Sequence, residues 1–90
     1  MQNKNRVNYE QRCMLLRTEY YDVLKKLGLN IAYYRKLRGY SQSKLAELVN
    51  ISRTHMSRIE TAECAVSITV LIDLCSVLSV SLTDIFDFKE

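Results

Sequence analysis

The fold of this chain is decided by one stretch, Ser41–Glu60, which reads SQSKLAELVNISRTHMSRIE. Ser41 can cap a helix, because its hydroxyl oxygen accepts a hydrogen bond from an amide of the first turn. Asn50 tolerates the left-handed conformation that reverses a chain, and Ser52 offers a second N-cap. Apolar residues then mark the inward faces of two short helices, namely Leu45, Leu48 and Val49 in the first and Met56 and Ile59 in the second.

The second of these helices keeps polar and basic residues away from its apolar stripe. They are Arg53, Thr54, Ser57 and Arg58. A helix, a tight turn and a second helix with a basic outer face is the pattern of a helix-turn-helix that reads DNA. Arginine can bond both O6 and N7 of guanine, and threonine can contact thymine, so this face carries candidate base-reading residues.

Six short segments, in their order and spacing, carry a wider resemblance across residues 27–88. The segments are Ile31–Arg38, Ser41 with Gln42, Leu45 with Ala46, Ile51 with Ser52, Ser57–Glu60 and Val80–Phe86. Together they resemble the lambda-repressor/Cro-like helix-turn-helix family of the xenobiotic-response-element type. The resemblance implies an all-α fold of five packed helices, operator DNA as the ligand and usually a symmetric dimer.

The same resemblance assigns roles to individual residues. Those at positions that reach bases are Ser52, at the rim, with Arg53, Thr54 and Arg58. We expect guanine opposite Arg53, and Arg58 could equally contact a phosphate. Gln42 stands where the family has a phosphate-binding glutamine, and further candidate phosphate contacts are Ser43, Lys44 and Arg38. Arg35 and Glu60 occupy the positions of a salt bridge between the first helix and the end of the third.

The loop after Glu60 departs from the family pattern. Ala62 stands where glycine is common, Glu63 where a cation is usual, and Val66 where proline is common. Because this loop usually follows the DNA backbone, we expect it to make fewer phosphate contacts here and the affinity for DNA to be modest.

Length and composition fit one small helical domain. The chain has 90 residues, 48% of them apolar, with two glycines and no proline. Hairpin turns need residues that are scarce here, so helices are favoured over strands. No apolar run approaches the roughly 20 residues that span a bilayer, and the polar N-terminus lacks a signal segment, so we expect a cytoplasmic protein.

Charge is divided unevenly along the chain. Residues 1–40 hold nine Lys and Arg against three Asp and Glu, whereas residues 61–90 hold one against five. A basic first half with an acidic tail suits a molecule that turns one side toward phosphates, although ordinary surface charge would look the same.

Cysteine and histidine usage argues against a metal site or catalysis. Cys13, Cys64 and Cys75 form no C-x-x-C, and His55 is the single histidine. We therefore predict no metal and no cofactor, with Cys75 in the core. No nucleophile–base set, paired carboxylates or phosphate-binding glycine loop is present, so we predict that the protein is not an enzyme.

The N-terminal extension, residues 1–26, is expected to contain one additional helix. We expect disorder over residues 1–7 and a cap at Asn8. Apolar residues then recur at alternating spacings of four and three, as in a coiled-coil seam: Tyr9, Cys13, Leu16, Tyr20, Val23 and Leu27. This helix could pack on its own domain or serve as a dimerisation helix. Gly28 could separate it from the next helix or lie within a longer one.

Residues 27–88 are expected to form the DNA-binding domain itself. In its first helix, Leu29–Arg38, we expect Ile31 and either Tyr34 or Leu37 to point inward, and Gly39 to end the helix. For the fourth helix, capped by Ser67, the expected stripe is Ile68, Leu71, Ile72, Cys75 and Leu78. The last helix should close the core with Leu82, Ile85 and Phe86.

The leading hypothesis is a sequence-specific, double-stranded DNA-binding transcriptional regulator. It would act as a repressor, read the major groove with helix 52–60, and bind an inverted repeat as a homodimer. The alternative is a protein-interaction module, such as an antitoxin or anti-repressor partner, that docks a protein partner through the N-terminal helix. Strong salt dependence of DNA binding would favour the first hypothesis, and a tightly co-purifying protein the second.

Overall fold

A computed structural model describes the backbone of residues 9–88 and the side chains from residue 19 onward. The helices are α1 (Tyr9–Leu37), α2 (Gln42–Leu48), α3 (Arg53–Glu60), α4 (Ile68–Leu78) and α5 (Leu82–Ile85). Between residues 9 and 88 there are five helices and no strand, which confirms the predicted all-α, five-helix class. The disorder expected over residues 1–7 and the cap expected at Asn8 lie outside the described residues.

The helix α1 is one continuous element of 29 residues. The additional N-terminal helix expected from the sequence is therefore its first part, and Gly28 lies inside it. A Cβ atom at Gly28 would meet the carbonyl oxygen of Glu60 and would come within 2.7 Å of the carbonyl oxygen of Ile59. Glycine at this position thus lets the end of α3 approach the backbone of α1 closely.

Serine side chains start all four shorter helices. Each hydroxyl oxygen accepts a hydrogen bond from the amide three residues ahead, at 2.9–3.2 Å. The caps are Ser41, Ser52, Ser67 and Ser81. At α5 the Asp84 carboxylate also accepts from the Ser81 amide, which completes a capping box. The bonds from the Ser81 amide and hydroxyl lower the pKa of Asp84.

The turns predicted from the sequence adopt the expected left-handed backbone. Asn50, between α2 and α3, has φ of 61°, and the following Ile51 amide donates to the Ala46 carbonyl at 2.9 Å. Gly39 has φ of 79° just after α1. Both residues end a helix by adopting positive φ, which asparagine tolerates and which glycine, lacking a Cβ atom, adopts without strain.

One hydrophobic core joins all five helices. Its largest fully buried members are Ile31, Leu45, Met56, Leu74, Leu78 and Ile85. Tyr34, rather than the exposed Leu37, packs against this core from α1. Cys75 is also buried, as predicted, and desolvation followed by the nearby Asp84 charge raises the pKa of its thiol.

The expected core is wrong in part of three helices, α2, α4 and α5. In α4, Ile68 and Ile72 are 62% and 50% exposed, whereas Leu74 is buried. The helix is apolar on most positions, so its sequence did not single out the inward face. In α5 only Ile85 is buried; Leu82 and Phe86 are exposed, as is Leu48 in α2, because their neighbours in the fold do not cover them. In the part of the chain that the structure describes, no helix is both long and apolar enough to cross a membrane.

Candidate nucleic-acid interface

The α2–α3 unit holds the predicted recognition helix by its inner face. Met56, Ile59 and Glu60 of α3 are buried, and Leu45 and Ala46 are buried on the facing helix α2. Apolar residues at three- and four-residue spacing place this packing on one side of α3. The other side is left for solvent or a ligand.

That outer side presents Arg53, Thr54 and Arg58, and all three are exposed. Thr54 and Arg58 are four residues apart and so share one face. Ser52 adjoins them, but its oxygen caps α3 by accepting from the His55 amide at 3.0 Å. Within residues 19–88, the three exposed side chains make no hydrogen bond or ion pair, so their donors remain available to a ligand.

Arg35 and Glu60 form a buried pair between α1 and the end of α3. The Arg35 Nε atom donates to Glu60 Oε2 at 2.7 Å, and Nη2 donates to Oε1 at 3.1 Å. Arg35 Nη1 also donates to the Tyr40 carbonyl at 3.0 Å. This two-point geometry fixes the orientation of both side chains, and hence the position of α3 on α1.

Gln42 lies in the same cluster, a position that no pattern in the sequence predicts. Its Nε2 atom donates to Glu60 Oε1 at 2.9 Å, across 18 residues of chain. A glutamine amide has two hydrogens, so one bond to Glu60 leaves the second for another acceptor. The structure therefore joins the residue assigned to a phosphate contact to the residue pair that positions α3.

The other candidate phosphate-contact residues differ in whether they already form bonds within the protein. Ser43 and Lys44 are exposed in the first turn of α2, and Lys44 Nζ lies 3.5 Å from Glu47 Oε1. Arg38 instead donates from Nε to the Leu78 carbonyl at 2.7 Å. Because helix carbonyl ends attract cations, this bond gives Arg38 a role in holding α4 to α1.

In the loop after α3, Ala62 has the left-handed backbone conformation that accounts for glycine at this position in the family pattern. Ala62 has φ of 64°, a conformation that costs a residue with a Cβ atom roughly 1–2 kcal/mol. Glu63 accepts a bond from Thr61 Oγ1 at 2.7 Å, so its carboxylate is held at the end of α3. The segment Thr61–Val66 contains no Lys or Arg, and this loop offers no basic side chain to a phosphate.

Comparison with known proteins agrees with this geometry. Residues 31–85 match the family described as "Helix-turn-helix". The chain belongs to the helix-turn-helix family. It is thus a DNA-binding transcriptional regulator and not an enzyme. The family match begins after Gly28, so the first part of α1 lies outside it.

Two bacterial helix-turn-helix relatives are similar to this chain in sequence. Control protein C.SmaI of Serratia marcescens is 33% identical over 60 residues, which cover 67% of this chain and 71% of the relative. The HTH-type transcriptional regulator SinR of Bacillus subtilis is 38% identical over 65 residues, which cover 71% of this chain. The match spans 59% of SinR.

Solved helix-turn-helix structures show the same fold. The restriction-modification controller protein C.AhdI from Aeromonas hydrophila superposes with a TM-score of 0.66 at 26% identity, over 69% of this chain and 94% of that one. The clp gene regulator ClgR from Corynebacterium glutamicum superposes with a TM-score of 0.69 at 26% identity, over 71% and 82%.

Proposed function

We propose that this protein is a repressor that binds an inverted-repeat operator as a homodimer and reads the major groove with α3. The proposal is carried by the contrast between the two sides of α3. Its inner side is fixed by the Arg35–Glu60 pair, whereas Arg53, Thr54 and Arg58 are exposed and uncommitted. A rigidly held helix with free arginine donors suits direct reading of base edges.

In this proposal the contacts fall into two groups. Arg53 and Thr54 read bases, Ser52 contacts the rim of the site, and Arg58 reads a base or anchors a phosphate. Gln42 uses its second amide hydrogen on a phosphate, with Ser43 and Lys44 beside it in the first turn of α2. The main role of Arg38 is structural, because its Nε atom donates a hydrogen bond to the Leu78 carbonyl.

Two copies would supply what one small domain lacks. Half-sites about one helical turn apart, each read by one α3, together give the affinity and specificity of an operator. A dimer seated on such a site would repress by excluding the transcription machinery, in the cytoplasm where bacterial operators lie. The sequences recovered from a random double-stranded DNA library at near-physiological salt should therefore contain an inverted repeat.

Arg53→Ala then tests the assignment of base contacts. We expect a loss of affinity for the recovered operator of about 10- to 100-fold and a relaxed preference at one base pair in each half-site. Lys25→Ala, which removes an exposed cation from α1, is the matched control. Retention of the full sequence preference by Arg53→Ala would show that another residue reads that base pair.

The phosphate assignments predict a different response. Lys44→Ala should weaken binding to all sequences by a similar factor and reduce the salt dependence of the binding constant. A reporter gene placed behind the recovered operator tests repression separately. Transcription should fall when the protein is expressed, and a rise would make the protein an activator.

The alternative function, a module that docks a protein partner through the first part of α1, has one observation in its favour. Tyr20 and Val23 are 60% and 43% exposed there, although they are large and apolar. If the library yields no sequence above background and a second protein co-purifies with the chain, this function replaces the first.

A further inference from the structure

We infer that the apolar stripe of α1 around Tyr20, Val23 and Leu24 is the surface that joins two copies of this chain, with their α1 helices antiparallel. The inference rests on the proposed homodimer and names its interface. It concerns a segment outside residues 31–85, the part that matches the helix-turn-helix family.

The stripe lies where α1 leaves the body of the domain. A helix of 29 residues is roughly 44 Å long, whereas the molecule measures 52 × 25 × 21 Å. Among the α1 side chains that the structure describes, from Glu19 to Leu37, Leu27 is the first that is buried in the core. One turn before it, Tyr20, Val23 and Leu24 line a shallow cavity of about 380 Å³ together with Ala65.

The stripe has the form expected of a surface that packs on another helix. Tyr20, Val23 and Leu24 fall on one face, because residues three and four apart are helix neighbours. In the sequence the same alternation of four and three continues toward the N-terminus through Leu16, Cys13 and Tyr9. That spacing is typical of a helix that runs along another helix. The α1 helix of a second copy of the chain carries the same stripe and can pack against it.

Charge complementarity selects the antiparallel direction. Glu19 and Lys26 lie on the same edge of the stripe, two turns apart. When two copies pair antiparallel about a two-fold axis between Tyr20 and Val23, Glu19 of one helix faces Lys26 of the other, and the contact occurs twice. Lys26 Nζ also lies 5.9 Å from the centre of the Phe88 ring.

The first test is sedimentation equilibrium of the full chain at tens of micromolar. We expect a dimer for the wild type, and Val23→Lys should raise the dissociation constant by about 100-fold, because each copy would bury a lysine charge against Tyr20 of the other copy. Leu29→Lys is the matched control, since Leu29 lies on the same helix and is 63% exposed outside the stripe. A monomeric wild type, or a dimer disrupted by Leu29→Lys and not by Val23→Lys, would overturn the inference.

The antiparallel orientation of the two α1 helices is tested with variants that reverse single charges. Glu19→Lys should weaken the dimer about three- to tenfold at low salt, and Glu19→Lys combined with Lys26→Glu should restore it. Lys25→Glu reverses a charge on the side of the helix that faces away from the stripe, and it should leave the dimer unchanged. Equal weakening by Glu19→Lys and Lys25→Glu, or no recovery in the double variant, would exclude the antiparallel arrangement.

DNA binding separates this inference from the proposed function. Val23→Lys should still bind a duplex with a single half-site as the wild type does, and lose its advantage on the full operator. If the wild type binds the operator and Val23→Lys binds it equally well as a dimer, the inference fails while the proposed function stands. If the wild type binds no DNA, the proposed function fails, and sedimentation alone decides the interface.

Discussion

The two parts of α1 share one backbone but differ in what surrounds them. The inner half, residues 27–37, turns Leu27, Ile31 and Arg35 into the core and against α3. In the outer half, residues 9–26, the described side chains of Tyr20, Tyr21 and Val23 are exposed and that of Leu24 is half-buried. Helical periodicity continues across Gly28, so periodicity does not mark the edge of the domain. Burial does, because packing supplies most of the stability of a helix in a small protein.

The largest effect is expected from removing the Arg35–Glu60 pair, which holds the inner half of α1 against α3. Glu60→Ala leaves the Arg35 guanidinium buried without the partner for two of its bonds. We expect the free energy of unfolding to fall by about 3–5 kcal/mol, a large part of the stability of a domain this size. Urea unfolding followed by circular dichroism measures it.

The matched control for Glu60→Ala is Glu47→Ala. Glu47 belongs to an exposed ion pair, with Lys44 Nζ 3.5 Å from its carboxylate. Its loss should change the free energy of unfolding by less than about 1 kcal/mol. Similar costs for both variants would mean that Arg35 finds another partner when Glu60 is absent.

Gly28 marks the boundary between the two halves, and Gly28→Ala tests the close approach there. Alanine normally stabilises a helix interior by about 1 kcal/mol relative to glycine. Here its methyl group would lie 2.7 Å from the Ile59 carbonyl oxygen. We expect net destabilisation of about 1–3 kcal/mol, measured as a lower urea midpoint.

Glycine can be required by a close contact, as at Gly28, or by a positive φ, as at Gly39, and Gly39→Ala tests the second reason alone. Nothing lies within 4 Å of a Cβ atom at Gly39, but its φ is 79°. Asparagine tolerates that conformation, so Gly39→Asn should recover part of the stability lost in Gly39→Ala. No such recovery is expected for Gly28→Asn. A more stable Gly28→Ala protein would contradict the tight contact between α1 and α3.

The smallest effect is expected for Asn30, which ties the inner half to the C-terminal segment. Its Nδ2 atom donates to the Ile85 carbonyl at 2.8 Å and to the Asp87 carbonyl at 3.3 Å. Asn30→Ala should lower the free energy of unfolding by about 0.5–1.5 kcal/mol. Lys25→Ala, in the outer half, should change it by less than half as much; equal losses would show that both halves are anchored alike.

The α2–α3 unit was the most predictable part of the molecule. The caps Ser41 and Ser52 and the left-handed Asn50 each act within a few residues, so their signals are local in the sequence. The bond from Gln42 to Glu60 was not predictable, because it joins residues 18 positions apart and depends on the packed arrangement.

The remaining misses have a common physical origin. α4 is apolar on most positions, so the choice of Leu74 over Ile68 and Ile72 is made by its neighbours and not by its own pattern. Gly28 was ambiguous because glycine fits a helix break, a helix interior and a close contact. The base and phosphate contacts stay predictions, since they depend on the shape of a DNA molecule that the sequence does not encode.

The continuity of α1 across Gly28 also has a mechanical consequence. From Tyr20 to Arg35 the helix is a stiff rod of roughly 22 Å. At Arg35 it is hydrogen-bonded to Glu60, at the end of α3. A force applied to the outer half turns the whole rod, because the helix has no break at which to bend. A partner bound at Tyr20 would therefore be able to change the tilt of α3, the helix that we propose reads DNA.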